Sequence, residues 1–182
     1  MIGVSDEPRE AARDAVDLLR AQGITQVALL TGDQEPAARA LAESLDLDAF
    51  KAALLPEDKV KAVQELRARH GSVAMVGDGV NDAPALAVAD LGIAMGVAGT
   101  GAALETADVA LMADELLKIP YAFRLSRATL RNIRANIAFS IALKSVFLVL
   151  AIAGAATLWM AVAADMGASL IVIGNALRLL RE

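Results

Sequence analysis

The sequence predicts an α/β head built on a parallel sheet, followed by a transmembrane helical hairpin. Three observations lead there. The apolar share of the 182 residues is 57%, above the ~45–50% usual for soluble domains. Charge is divided along the chain: residues 1–118 hold 10 Lys and Arg against 20 Asp and Glu, a net of −10, whereas residues 119–182 hold 7 against 2, a net of +5. Residues 145–164 contain no Asp, Glu, Lys, Arg or His, and about 20 mainly apolar residues suffice to cross a bilayer as a helix.

Within residues 1–118, helical and strand patterns alternate, as in a parallel α/β sheet. Asp6-Glu7-Pro8 suits a helix start, and Ala12, Val16 and Leu19 follow at helical spacing. Gln26 to Leu30 forms an apolar strand that runs into Thr31-Gly32-Asp33. A second helix, from Pro36 to about Leu45, leads through Phe50 to a third. That one begins near Pro56 and turns Val60, Val63 and Leu66 inward. Val73 to Val76 is the next strand and enters Gly77-Asp78-Gly79-Val80-Asn81-Asp82. Leu91 to Met95 and Val109 to Met112 close the sheet.

Residues 119–136 read as a basic helix or linker. Arg124, Arg127, Arg131 and Arg134 recur at spacings of three, four and three, which puts them on one face. Such a face meets anionic head groups or the acidic head; it equally serves as a plain positive flank. Residues 137–182 hold two spans that turn near Gly154-Ala155-Ala156-Thr157. Arg178 and Arg181 follow the second span, so head and both hairpin ends are expected in the cytoplasm. A cleavable leader does not fit, because Met1 to Arg20 is highly charged. With no cysteine and one histidine, His70, disulfide scaffolds and Cys- or His-cluster metal sites are excluded within this chain. The acidic head argues against nucleic acid as a partner.

The chemistry is expected where strands end, since ligands in open α/β sheets bind beyond the carboxyl ends of the strands. Asp78 and Asp82, flanked by glycines that allow close approach, suit Mg²⁺, which takes oxygen ligands and usually one or two carboxylates. Thr31 is placed to donate a hydrogen bond to a phosphoryl oxygen, although a turn that only caps the next helix has the same letters. Lys59 brings an ammonium near the start of its helix. Hydroxyl, cation and paired carboxylates together are the parts that phosphoryl transfer needs. In the hairpin, Lys144 lies 10 residues before Gly154 and Asp165 lies 11 after it. At 1.5 Å per residue both sit about 15 Å from the turn, near mid-bilayer. Intramembrane charges are costly unless paired or functional.

Thr31-Gly32-Asp33, Leu55-Pro56-Glu57-Asp58-Lys59 and Gly77-Asp78-Gly79-Val80-Asn81-Asp82-Ala83-Pro84-Ala85-Leu86 resemble the phosphorylation domain of P-type ATPases, in the haloacid dehalogenase superfamily. Met95-Gly96, Gly99-Thr100-Gly101 and Glu105-Thr106-Ala107-Asp108-Val109 resemble the heavy-metal branch. Asp165-Met166-Gly167 and Asn175-Ala176-Leu177-Arg178 resemble the last helix of zinc, cadmium and lead exporters. The resemblance implies a partial Rossmann-like sheet and a pump acting through an aspartyl-phosphate, with Mg²⁺ and ATP as cofactors. It implies catalytic positions at Thr31, Gly32, Asp33, Lys59 and Asn81, with the first four also at the phosphate or nucleotide. Asp78 and Asp82 would serve Mg²⁺, and Asn81 would hold the loop. Asp165 would ligate the transported Zn²⁺, Cd²⁺ or Pb²⁺, with Lys144 as its counterion; a purely structural Lys-Asp pair is the other reading of those two.

The family's phosphorylated aspartate sits in an Asp-Lys-Thr-Gly motif, and that tetrapeptide does not occur here. The expectation is therefore a C-terminal piece of such a pump, residues 1–118 forming the later part of the phosphorylation domain. Its partners would be the missing N-terminal portion, the bilayer and the metal ion. The strand that bears the nucleophile would lie centrally, leaving the sheet incomplete. A membrane-anchored Mg²⁺-dependent phosphatase and a non-catalytic partner of an intact pump are the rival readings.

Overall fold

A computed structural model describes residues 10–78, 81–96, 105–112 and 115–178. Asp6-Glu7-Pro8, Gly79, Val80, Gly99-Thr100-Gly101 and Arg181 lie outside the described residues. The chain divides into two compact units, Met1–Pro120 and Tyr121–Glu182.

The first unit alternates α1 (Glu10–Ala21), β1 (Ala28–Leu30), α2 (Glu35–Ser44), β2 (Ala49–Lys51), α3 (Pro56–His70), β3 (Ala74–Gly77), α4 (Ala83–Val88), β4 (Leu91–Met95) and β5 (Val109–Leu111). The strands are parallel throughout, but they pair as two sheets, β1-β2 and β3-β4-β5. The expected single sheet is thus divided, because no described strand pairs β1 with β3. The two parts nevertheless share a core. Val63, Met75, Ala85, Leu86 and Ala94 are buried together, and Leu30 from β1 packs against them with Val60 and Ala110. β4 is nearly continuous in apolar residues, as a strand covered on both faces should be.

Local chemistry explains the boundaries. α3 opens with Pro56 in its first turn beside Glu57 and Asp58, and ends with Arg67, Arg69 and His70 before Gly71 at φ +86°. Proline and acids at the positive end, bases at the negative end and a left-handed glycine beyond it are each favourable there. Aspartates set the strand entries in a repeated way. The Val27 N–H donates to Asp48 at 2.7 Å, the Val73 N–H to Asp90 at 3.0 Å and the Gly92 N–H to Asp108 at 2.8 Å. In each case the carboxylate comes from the loop that leads into the neighbouring strand, so one side chain fixes the entry of two strands.

The second unit contains most of α5 (Lys118–Ile152) and all of α6 (Leu158–Leu177). The basic stretch and the first apolar stretch form one 35-residue helix with no break between 136 and 137. Both helices are long and apolar enough to cross a membrane, with mean hydropathies of 2.1 and 1.6 in their best windows. Gly154 at φ +70° makes the turn, and the Thr157 hydroxyl caps α6 by accepting from the Met160 N–H.

Candidate functional site

Two places gather the chemistry, one in each unit. In the head, Thr31 follows β1 directly, and Asp78 follows β3. The Thr31 hydroxyl donates to Asp33 at 2.7 Å and accepts from the Asp33 N–H at 3.1 Å, so the Thr31-Gly32-Asp33 turn is closed on itself. Its backbone is stitched to the segment after β2: Thr31 N–H donates to Lys51 O, Leu54 N–H to Thr31 O and Ala53 N–H to Asp33 O. Leu55 then caps α3, whose first turn carries Lys59.

The Lys59 ammonium donates to Asp82 at 2.6 Å, with side-chain exposures of 15% and 13%. Asp82 opens α4 and accepts through its backbone carbonyl from Ala85 and Leu86. Its carboxylate lies against Gly77: a Cβ added there would sit 2.6 Å from Asp82 Oδ2. A glycine is therefore required at the end of β3 for Asp82 to lie where it does. Asp78 is exposed, and its Oδ1 receives the Asn81 N–H at 3.3 Å, which holds the loop across the hexapeptide.

This donor set suits a hard cation that keeps part of its water. Among the described residues no three His, Cys, Asp or Glu side chains converge. Asp78 offers an exposed carboxylate, and Asp82 a second that is already neutralised by Lys59. One or two carboxylates completed by phosphate oxygens and water is the ordinary Mg²⁺ arrangement. Side-chain contacts thus bring Lys59 to Asp82 and Asp78 to Asn81, while the Thr31-Gly32-Asp33 turn is bonded to Lys51, Ala53 and Leu54 just ahead of α3. His70 is exposed at the end of α3, away from this set in the chain.

In the hairpin, Lys144 Nζ and Asp165 Oδ1 are 3.9 Å apart. They line a cleft of about 290 Å³ with Ser140, Phe147 and Ser169 among its walls. Sequence reasoning passed over the strongest polar contacts of this unit. Asn175 Nδ2 donates to Asn132 Oδ1 at 2.9 Å and to Asn136 Oδ1 at 2.7 Å, while Asn132 Nδ2 donates to the Asn175 carbonyl at 2.9 Å. The recurrence of Asn132, Asn136, Ser140 and Lys144 at every fourth position was the available signal.

Residues 1–90 match the family model for haloacid dehalogenase-like hydrolases. The chain is 49% identical over 181 residues to a probable cadmium-transporting ATPase of Staphylococcus aureus (strain MRSA252), covering all of this chain and 25% of the relative. It is 52% identical over 182 residues to the zinc/cadmium/lead-transporting P-type ATPase of Escherichia coli (strain K12), again covering all of this chain and 24% of the relative. Among solved structures, a zinc-transporting PIB-type ATPase in the E2.Pi state superposes with a TM-score of 0.86 at 52% identity. That match covers 97% of this chain and 28% of the other. The chain spans about a quarter of the length of the relatives it matches. The chain is thus a haloacid-dehalogenase-type α/β unit joined to two long apolar helices, similar along its whole length, at about half of its residues, to one quarter of these heavy-metal-transporting P-type ATPases.

Proposed function

We propose that this chain is the part of an ATP-driven exporter of divalent heavy metals that holds the phosphoryl group and one end of the ion path. The observation that carries the reading is the Lys59–Asp82 contact beside Asp78. It ties the first turns of α3, which follows β2, to the start of α4, which follows β3, and a metal-ion pathway candidate lies on the same chain. The break between β1 and β3 supports it as well, because the resemblance puts the strand with the phosphorylated aspartate centrally.

Asp78, with Asp82 as a supporting oxygen donor, would hold Mg²⁺, which when bound neutralises charge on a phosphoryl group. The Lys59 ammonium, with protons beyond the one given to Asp82, would donate toward a phosphoryl oxygen, and the Thr31 hydroxyl would do so by turning its one proton from Asp33; donors held ready before the reaction are the effective ones. At Gly32 a Cβ would meet only Leu54 O, at 3.4 Å, so the turn itself would admit a small side chain. Asp33 fixes the Thr31 hydroxyl. Asn81 fixes Asp78. ATP would be bound mainly by segments outside this chain. In the hairpin, Asp165 supplies one carboxylate to the exported ion, and Lys144 takes its place as counterion when the ion leaves. The head and both ends of the hairpin would face the cytoplasm.

The test is a chimera in which this chain replaces the matching quarter of the Escherichia coli zinc/cadmium/lead-transporting P-type ATPase. The chimera is expected to form an acid-stable phosphoenzyme from ATP and to restore zinc and cadmium tolerance. Asp165→Asn should abolish zinc stimulation while phosphorylation from inorganic phosphate persists. A chimera that reaches the membrane and hydrolyses ATP equally well with and without zinc, before and after Asp165→Asn, would overturn the reading.

A further inference from the structure

The half-buried positions of the hairpin define which sides of α5 and α6 face each other. On α5 they include Asn132, Asn136, Ser140 and Phe147, and on α6 Ala164, Ala168, Val172 and Asn175. Across this seam the pairing is constant. Lys144 stands level with Asp165, Asn175 lies level with the midpoint between Asn132 and Asn136, and Ser140 and Ser169 line one cleft with the charged pair. Polar residues therefore occupy matching levels from the Asn cluster to the charged pair, while Phe147 begins the apolar part toward the turn.

The Asn cluster is the tightest of these levels. Asn132 Oδ1 accepts from both Asn136 Nδ2, at 2.9 Å, and Asn175 Nδ2, and Asn132 returns a bond to the Asn175 backbone. Lys144 and Asp165, by contrast, stand 3.9 Å apart with side chains 75% and 69% exposed, so that pair does not fix the helices by itself. A slip of one helical turn, about 5.4 Å, would carry Asp165 out of reach of Lys144. In lipid, apolar surfaces do little to choose one register over another, and interhelical hydrogen bonds do.

We infer that Asn132, Asn136 and Asn175 form a register clasp whose task is to position Asp165 opposite Lys144. They are positioning residues, since none touches the pair. The role rests on the proposed ion path for its purpose but not for its geometry. The chain lacks cysteine, so register is readable directly by crosslinking. Ser140→Cys with Ser169→Cys, whose side chains line one cleft, reports the native register, and Ser140→Cys with Ile173→Cys, one turn further along α6, reports a slip. In membranes holding the full chain, copper-phenanthroline oxidation should favour the first pair by about tenfold.

Asn175→Leu keeps bulk and membrane insertion but removes the donors, and should bring the two pairs within about twofold. Asn136→Leu, which leaves the Asn132–Asn175 bonds, should give an intermediate ratio. In the chimera, Asn175→Leu should raise the zinc concentration for half-maximal ATPase stimulation, leaving phosphorylation from inorganic phosphate unchanged. An unaltered crosslinking ratio in Asn175→Leu overturns the clasp and leaves the ion-path reading intact. An altered ratio in a chimera that ignores zinc overturns the ion path and leaves the clasp.

Discussion

Lys59 and Asp82, 23 positions apart, meet at 2.6 Å with both side chains largely withdrawn from solvent. A pair this shielded is costly to break on one side, because the remaining charge stays buried without a partner. Lys59→Met and Asp82→Asn should each destabilise the head by about 1–3 kcal/mol. The double variant should cost less than the sum, with a coupling of about 1–2 kcal/mol. Urea-dependent proteolysis of the micellar chain measures all three; strictly additive losses would mean that the pair contributes nothing as a pair.

Two glycines separate site geometry from packing. Gly77→Ala drives a Cβ to within 2.6 Å of Asp82 Oδ2 and 2.7 Å of Asp82 Cβ, so the carboxylate has to leave and the start of α4 has to shift. Gly92→Ala meets the Leu86 carbonyl oxygen at 2.9 Å, which is backbone and cannot step aside. Gly92→Ala should therefore cost about 1–3 kcal/mol of stability through overpacking. Gly77→Ala should cost at least as much, because it also parts Asp82 from Lys59, and should weaken Mn²⁺ binding, followed by the ion's paramagnetic resonance, more than Gly92→Ala does.

Asp78 is the exposed carboxylate of the site and Asp82 the neutralised one. In the chimera, Asp78→Asn should raise the Mg²⁺ concentration needed for phosphoenzyme formation by about tenfold or more, equivalent to about 1.4 kcal/mol. Asp90→Asn, whose carboxylate meets the Val73 N–H and the Arg67 guanidinium, should leave that requirement unchanged.

Asp48 gives the head a pH dependence. Its carboxyl is held below the ordinary carboxylate value, chiefly by the Val27 N–H at 2.7 Å and then by the Arg20 guanidinium at 3.3 Å, against the cost of burial. A depressed native value means that the stabilisation is complete above the unfolded value of about 3.9 and disappears as pH falls through the native one. Asp48→Asn should thus lower the unfolding temperature of the head at pH 7, with the difference shrinking steadily below pH about 4. Equal melting of the two proteins at pH 7 would remove this role.

The sequence was most legible where one physical signal dominated. The Leu91 to Met95 strand is recovered residue for residue, since an apolar run between turn residues has few other fates, and Pro56 marks the start of α3 because proline is favoured there. β2 around Phe50 was less legible: three residues with Lys51 exposed at the end carry almost no period. The paired sheets could not be foreseen from single strands, because pairing depends on neighbours far along the chain. Within the site, Asp78 and Asp82 were readable as oxygen donors, but that Lys59 would sit on Asp82 required the fold. Nothing in the sequence singles out Asp48 or Asp90, and Asp108 stands there only within the Glu105-to-Val109 resemblance; the parallel strand entries reveal all three as acceptors.

The unbroken course of α5 has a mechanical consequence. Arg124 and Lys144 are 20 residues apart on one stiff rod, so about 30 Å of helix links them without a joint. Any torque applied at the guanidinium end turns the ammonium through the same angle, and swings it off the axis it shares with Asp165.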